Sequence, residues 1–135
     1  MNSDDKDVVL FPDKIGGRYA MLHRPHFWSQ SGYSSTEAKA YTIELPCSKD
    51  DLPAKPAVWI SYSDDLYHWD NHRIISGLLQ KKDEKIGPGM PPLRTSKGWL
   101  IIYHQVQVTV EGKVYTAAAA LLDLSDPSKV IARLP

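Results

Sequence analysis

Two halves of this sequence repeat one pattern of turns and strands, and the repeat distance is 80 residues. Three pairs of similar residues have this separation: Pro12 with Pro92, Tyr19 with Trp99, and Arg24 with His104. Similar units in tandem are typical of propeller blades, each of which is a four-stranded antiparallel sheet. The pattern therefore favours an all-β fold, a partial β-propeller of two four-stranded antiparallel blades, over a β-sandwich with coincidental spacing.

Short apolar segments bounded by turn residues fill both units. No segment keeps the apolar period of a long amphipathic helix. The 10 prolines, 8 glycines, 7 tyrosines and 4 tryptophans suit many short strands joined by turns. We predict a single partial propeller domain over residues 1–135, with blade one at 6–76 and blade two at 84–133.

Residues 28–56 interrupt the plan of blade one. This segment has a serine-rich part and a charged, proline-rich part, and we expect one strand within it at residues 40–45. Long excursions on a sheet scaffold often carry substrate contacts, and they are equally often variable loops. The sequence alone leaves both interpretations of the insertion open.

Charge and composition exclude several classes of partner. The chain has 16 lysines and arginines together and 16 aspartates and glutamates together, so its formal net charge is zero. Nucleic-acid binders usually carry a basic surplus instead. The apolar run at 117–122 is far shorter than the roughly 20 residues that span a bilayer. The acidic start of the chain is unlike a secretory signal, and the single cysteine, Cys47, fits a reducing compartment. We expect no nucleic-acid or membrane partner, and a cytoplasmic location.

Four basic residues occupy matching places in the two units. Lys6 and Lys85 precede the first strand of each unit, and Arg24 and His104 close the second strand. If the units are neighbouring blades, these groups converge on one anion, for which arginine supplies a fork of donors and lysine a point charge. The alternative is that each is a solvated residue at a strand end.

Other residues give weaker signals. The carboxylates considered for acid chemistry are Asp7, Asp13, Asp64, Asp65 and Glu84, and none has surroundings that mark a proton donor. The histidines lack a partner cluster, so we predict no metal site. Trp59 and Trp99 lie inside strand patterns and are expected in the core, and residues 63–69 are expected to form a structural turn.

Several long motifs closely resemble glycoside hydrolase family 130. They occur in the order KDVVLFPDKI at 6–15, GRYAMLHRP at 17–25, WISYSDDLYHW at 59–69, KIGPGMPP at 85–92, GWLIIYH at 98–104 and AALLDLSDPSKVI at 119–131. The resemblance covers nearly the whole chain apart from the insertion. It implies a five-bladed propeller acting on β-mannosides, mostly by phosphorolysis to mannose 1-phosphate, although some members hydrolyse instead.

The resemblance also implies roles for individual residues. Arg24, Lys85 and His104 match basic residues that hold the phosphate nucleophile, and Lys6 falls where many phosphorylases have an arginine. Asp7 lies beside it, at a position used for substrate or phosphate contact. Inorganic phosphate is then the co-substrate of a β-mannoside oligosaccharide, with no other cofactor.

The general acid of the family belongs to a blade upstream of Lys6, so no catalytic residue is assigned within the chain. The expectation is a fragment of an enzyme whose site is incomplete and inactive by itself. A homo-oligomer or blades from another chain are the possible sources of the missing part. Two alternatives remain open. One is a non-catalytic module that binds carbohydrate or an anion, and the other is an interaction protein that uses open blade edges.

Overall fold

Blade one is an antiparallel sheet whose strands follow chain order. The structure, a computed structural model, describes residues 5–134. The strands of this blade are β1 Asp5–Leu10, β2 Tyr19–Pro25, β3 Trp59–Ser63 and β4 Asp70–Ile74. Between β1 and β2, Gly16 and Gly17 have φ values of +59° and +80°. A two-residue hairpin turn requires this left-handed backbone, which glycine adopts without steric cost.

Blade two is a second antiparallel sheet, in the order β5-β7-β8-β9, with β6 also paired to β7. Its strands are β5 Lys85–Pro88, β6 Leu93–Arg94, β7 Trp99–Thr109, β8 Gly112–Leu122 and β9 Val130–Arg133. The prolines at 91 and 92 have no N–H for a ladder, so the first strand divides into two short pieces. The predicted all-β fold of two antiparallel blades is confirmed, and blade two has this one short strand more.

The core lies where the two sheets face each other. Alternate side chains of a strand point to opposite faces, and one face of each blade is apolar. The fully buried side chains of this cluster include Leu22 and Ile60 from blade one and Ile86, Trp99 and Tyr103 from blade two. Strand β5 also contacts β1 and β2. The first strands of the two blades are thereby brought side by side.

The insertion folds into short helical turns rather than a strand. They are α1 Gln30–Tyr33 and two 3₁₀ turns, Ala38–Ala40 and Lys49–Asp51. The strand predicted at residues 40–45 is wrong, because no neighbouring strand pairs with this segment. The Trp28 indole N–H instead donates to the Glu44 carbonyl at 3.0 Å. Within residues 5–134, none of the helices has the length and apolar character needed to cross a membrane.

A chain of hydrogen bonds crosses four strands of blade one. His23 Nδ1 lies 2.7 Å from an Asp5 carboxylate oxygen, and His23 Nε2 lies 2.7 Å from Ser61 Oγ. Ser61 Oγ in turn lies 2.6 Å from His72 Nδ1. Because a carboxylate only accepts, His23 Nδ1 donates to Asp5. In the neutral imidazole, Nε2 is then the acceptor for the Ser61 hydroxyl, whose oxygen accepts from His72 Nδ1. The chain uses polar groups that would otherwise be buried without partners.

Acidification is expected to destabilise the fold through His72. Burial lowers the pKa of His72 from its ordinary value of 6.5, and nearby His23 lowers it further, although the carboxylates of Asp70 and Asp5 oppose this effect. The unfolded chain then takes up a proton more readily than the folded chain, so the free energy of unfolding falls as the pH drops through about 6.5. Urea unfolding from about pH 8 to about pH 5.5 should show a shallower pH dependence for His72→Gln than for the wild type.

His68 supplies a control of opposite sign. The Asp65 carboxylate raises the pKa of the exposed His68 by hydrogen bonding. His68 therefore contributes stability below its unfolded pKa and loses that contribution as the pH rises. His68→Gln should make the loss of stability in acid steeper. Equal slopes for the wild type and His72→Gln would contradict the role given to His72.

Candidate functional site

Strands β1 and β2 place Lys6 and Arg24 directly opposite each other. Beyond this pair the register slips, because three steps on β1 match two steps on β2 before Val9 meets Leu22. Asp7 occupies the resulting bulge with a φ of +57°. Aspartate tolerates this left-handed backbone better than most residues do, and a bulge changes the direction of the side chain that it carries. The bulge thus directs the Asp7 carboxylate toward blade two.

Asp7 links the two blades at this point. One of its carboxylate oxygens lies 3.4 Å from Arg24 Nη2 and 3.6 Å from His104 Nε2. His104 lies on β7 opposite Gly87 on β5. A Cβ atom at position 87 would lie 2.6 Å from that carboxylate oxygen and 2.7 Å from His104 Nε2. Glycine at position 87 therefore leaves the space in which the polar groups of both blades meet.

The basic cluster, defined as Lys6, Arg24, Lys85 and His104, surrounds one side of a pocket. Lys6, Arg24 and Lys85 line this pocket, which has a volume of about 450 Å³. His104 does not line the pocket and is connected to the cluster through Asp7, which lies between it and Arg24. The structure thus brings together all five residues that the sequence analysis singled out, Asp7 included. Arg24 is buried, with 7% of its surface exposed, so its guanidinium is held in place rather than left free in solvent.

Positive charge at the cluster is only partly neutralised. Burial lowers the pKa of the Lys85 ammonium, and the positive charges of Arg24, Lys113 and Lys6 lower it further. Burial also lowers the pKa of His104. The Asp7 carboxylate opposes this shift, whereas the positive charges of Arg24 and Lys85 add to it. In the described part of the chain, no carboxylate lies within 4 Å of the Lys6, Lys85 or Lys113 ammonium. A bound anion would relieve this repulsion.

Lys113 is a member of the pocket that the sequence analysis missed. It lies just after the turn between β7 and β8 and lines the pocket with Lys6 and Lys85. Strand β7 runs to Thr109, past the expected end near residue 104, and this extra length carries the hairpin to the pocket. The alternating sequence QVQVTV at 105–110 is a strand signal that would have predicted the longer hairpin.

The chain between β2 and β3 supplies the other lining of the pocket. The contributing residues are His26, Phe27, Ser31, Glu37, Tyr41 and Pro56. This segment is well held, because the Ser29 hydroxyl donates to the His26 carbonyl and accepts from the Gly32 N–H. Gly32 is required there, since a Cβ atom would overlap the His26 carbonyl oxygen. Part of the insertion thus forms a wall of the pocket.

The carboxylates that the sequence offers for acid chemistry lie in different parts of the fold. Of the carboxylates considered, Glu84 lines the pocket and pairs with Lys55 at 3.5 Å, whereas Asp7 lies next to Arg24, which lines the pocket. Asp65 instead accepts the backbone N–H groups of Tyr67 and His68, as expected of a structural turn. Over the described range 5–134, no group of three or more His, Cys, Asp and Glu side chains is placed to hold a metal ion.

Known proteins resemble this chain over nearly its whole length. It is 36% identical over 135 residues to a 1,2-beta-oligomannan phosphorylase of Thermoanaerobacter sp. (strain X514), covering 98% of this chain and 35% of the relative. It is 33% identical over 132 residues to a beta-1,2-mannobiose phosphorylase of Listeria innocua serovar 6a, covering 96% of this chain and 30% of the relative. The chain thus spans about a third of the length of the curated relatives it matches.

A solved structure of a mannoside phosphorylase is also similar to this chain in fold. The beta-1,2-mannobiose phosphorylase from Listeria innocua, in complex with beta-1,2-mannobiose, has a TM-score of 0.66 and 36% identity, covering 98% of this chain and 31% of that chain. The sequence profile of glycoside hydrolase family 130, described as beta-1,4-mannooligosaccharide phosphorylase, matches residues 47–135. With this profile matching more than half of its residues, the chain belongs to glycoside hydrolase family 130.

Proposed function

We propose that this chain supplies the phosphate-binding part of a β-mannoside phosphorylase site. The observation that carries the proposal is the convergence of Lys6, Arg24, Lys85 and Lys113 on one pocket, with Asp7 between Arg24 and His104. The names of the relatives support the same chemistry, because each is a phosphorylase that acts on mannosides. In this proposal, inorganic phosphate is the co-substrate and a β-mannoside is the sugar substrate.

Phosphorolysis assigns a separate task to each type of group. A phosphate oxygen attacks the anomeric carbon of the mannosyl unit while the glycosidic C–O bond breaks, giving mannose 1-phosphate and a shortened sugar. The Arg24 fork can donate to two phosphate oxygens, and the lysines supply point charges that reduce the repulsion on approach. His104 adds a further donor. The negative charge of Asp7, 3.4 Å from Arg24 and 3.6 Å from His104, attracts both groups and so constrains their directions.

The proton for the leaving sugar oxygen is assigned to a residue outside this cluster. The cluster consists of donors for the phosphate, and Asp7 is already placed between two of them. The proposed division of labour therefore gives this chain the nucleophile-binding half of the reaction. A non-catalytic anion-binding module would use the same residues without turnover, and a turnover assay separates the two functions.

A calorimetric titration with inorganic phosphate tests the proposal. We expect saturable binding at one site per chain, weakened by added salt because charges attract the ligand. Lys85→Gln should reduce the affinity. Lys97→Gln removes an equal charge from an exposed turn outside the pocket and should leave the affinity unchanged. Absence of saturable binding, or equal losses in both variants, would refute the phosphate site.

Turnover is measured on the same sample with added mannobiose. Release of mannose 1-phosphate would show that the described pocket also contains a proton donor, contrary to the assignment above. Phosphate binding without turnover agrees with a chain that carries only this half of the reaction. A complementation assay with the remaining blades then separates the enzyme part from a binding module, since only the former gains activity.

A further inference from the structure

The pocket has room for more than an anion. Its volume of about 450 Å³ falls in the range of small-molecule sites, roughly 300–1,000 Å³, and such sites combine apolar rings with a few placed polar groups. The strands supply the cations, whereas the chain after β2 supplies two aromatic rings, Phe27 and Tyr41. The two kinds of lining suggest a ligand with a charged group and a ring.

The aromatic pair, Phe27 with Tyr41, is an ordered platform. The ring centroids lie 5.9 Å apart, and the ring planes are inclined by 33°. Phe27 is buried, with 6% of its surface exposed, whereas Tyr41 is 58% exposed. Both residues line the pocket, and the buried Phe27 ring contacts the more exposed Tyr41 ring and helps to hold it in place. Such tilted contacts between aromatic rings are favourable and directional.

Hydrogen bonds hold the chain on both sides of Tyr41. Before it, the 3₁₀ turn Ala38–Ala40 ends with the Tyr41 N–H donating to the Ala38 carbonyl at 3.1 Å. After it, the Glu44 carbonyl accepts from the Trp28 indole. The platform is thus positioned by the fold of the segment rather than by the ligand, which lowers the entropy lost on binding.

The polar groups beside the platform match a polyhydroxyl ring. Ser31 and Glu37 line the pocket along with Tyr41. A carboxylate accepts hydrogen bonds and a serine hydroxyl both donates and accepts, so together they can serve sugar hydroxyls. The C–H face of a hexose is apolar and stacks on an aromatic ring, removing apolar surface from water. A ligand that has an anionic group beside a polyhydroxyl ring would match both parts of the lining, and a sugar phosphate is such a ligand.

We propose that Tyr41, supported by Phe27, is the platform on which the sugar ring of a hexose 1-phosphate stacks while the basic cluster holds its phosphate. The inference rests on the proposed phosphate site and adds the sugar contact to it. It also gives a task to the segment that interrupts blade one. That segment then determines which phosphorylated sugar the site prefers, because the strands supply only the anion contacts.

The test compares two probes, inorganic phosphate and mannose 1-phosphate, by calorimetry on the full chain. Tyr41→Ala should weaken binding of mannose 1-phosphate by about five- to tenfold, the size of one aromatic contact, and leave phosphate affinity unchanged. Tyr41→Phe keeps the ring and should bind both probes as the wild type does. Tyr67→Ala removes an exposed tyrosine from a different turn and serves as the matched control.

The outcomes separate this inference from the proposed function. A wild type that binds phosphate, with Tyr41→Ala unchanged for mannose 1-phosphate, overturns the platform and leaves the phosphate site standing. Equal losses for both probes in Tyr41→Ala overturn it as well, since Tyr41 would then act on the cluster rather than on the sugar. A wild type that binds neither probe overturns the phosphate site and the platform together.

Discussion

Arg24→Gln is expected to weaken phosphate binding by about ten- to a hundredfold. Arg24 is buried beside the pocket, so water cannot readily replace the hydrogen bonds that its guanidinium offers to an anion. A hydrogen bond to a charged group contributes about 1.5–3 kcal/mol, and each 1.4 kcal/mol is about tenfold in affinity. The substitution also removes the cation that pairs with Asp7, so the unneutralised carboxylate repels the phosphate more strongly. Calorimetry at fixed pH and ionic strength measures the change.

Two further variants identify the cause. Arg24→Lys keeps the charge but loses the planar fork, so it should bind phosphate with an affinity between those of the wild type and Arg24→Gln. Arg73→Gln removes an exposed arginine from β4, outside the pocket, and should leave the affinity unchanged. If Arg73→Gln and Arg24→Gln lose affinity equally, the overall positive field rather than a built site would explain binding. Thermal unfolding of each variant confirms that the comparison is made on folded protein.

The repeat distance predicts much of this site because sheet geometry is regular. Equivalent positions in two similar blades point to the same region, so the 80-residue spacing of Arg24 and His104 is enough to predict that they lie close together. In the structure, one Asp7 carboxylate oxygen lies within 4 Å of both Arg24 and His104. Lys6 and Lys85 follow from the same reasoning, because each lies at the start of the first strand of its blade.

Other parts of the site depend on features that no repeat encodes. The bulge that directs the Asp7 side chain adds one residue to β1. Strand propensity is almost the same with and without a bulge, so the sequence does not reveal it. Gly87 shows its purpose only when Asp7 and His104 are seen on either side of it. Tyr41 is positioned by local hydrogen bonds in a segment without periodicity, and here the expected strand proved wrong.

Lys113 is a different case, because the sequence contains the signal for it. The strict alternation at 105–110 predicts a strand that runs beyond residue 104. After the hairpin turn, the first residues of β8 lie near Lys85, and Lys113 is one of them. The repeat alone predicts that this strand ends near residue 104, because blade one has no counterpart of the extension to Thr109. A repeat is thus informative about shared positions and uninformative about what one copy adds.

Trp99→Ala is expected to reduce the free energy of unfolding by about 3–5 kcal/mol, a large part of the roughly 5–15 kcal/mol that stabilises an ordinary domain. Trp99 is 1% exposed and meets the ring of Phe11 edge to face, with centroids 5.1 Å apart. Its indole N–H donates to the Leu124 carbonyl at 3.2 Å. Truncation removes the ring contact and leaves both a cavity and an unpaired carbonyl.

Trp99→Phe separates packing from hydrogen bonding. It keeps an aromatic ring against Phe11 and loses the indole donor, so its loss of stability should be well below that of Trp99→Ala. Urea unfolding followed by circular dichroism is the suitable measurement, because it does not depend on the fluorescence of the deleted tryptophan. A loss below about 1 kcal/mol for Trp99→Ala would mean that the blades do not depend on this contact.

The same contact connects stability to the basic cluster. Phe11 directly follows β1, which carries Lys6 and Asp7, and Trp99 begins β7, which carries His104. The Phe11–Trp99 contact therefore helps to hold in register the two strands that carry the two halves of the site. Trp99→Ala should weaken phosphate binding even at temperatures where the variant is still folded, whereas Trp99→Phe should not. If Trp99→Ala binds phosphate like the wild type, the blades are held in register by the remaining core, and the site does not depend on Trp99.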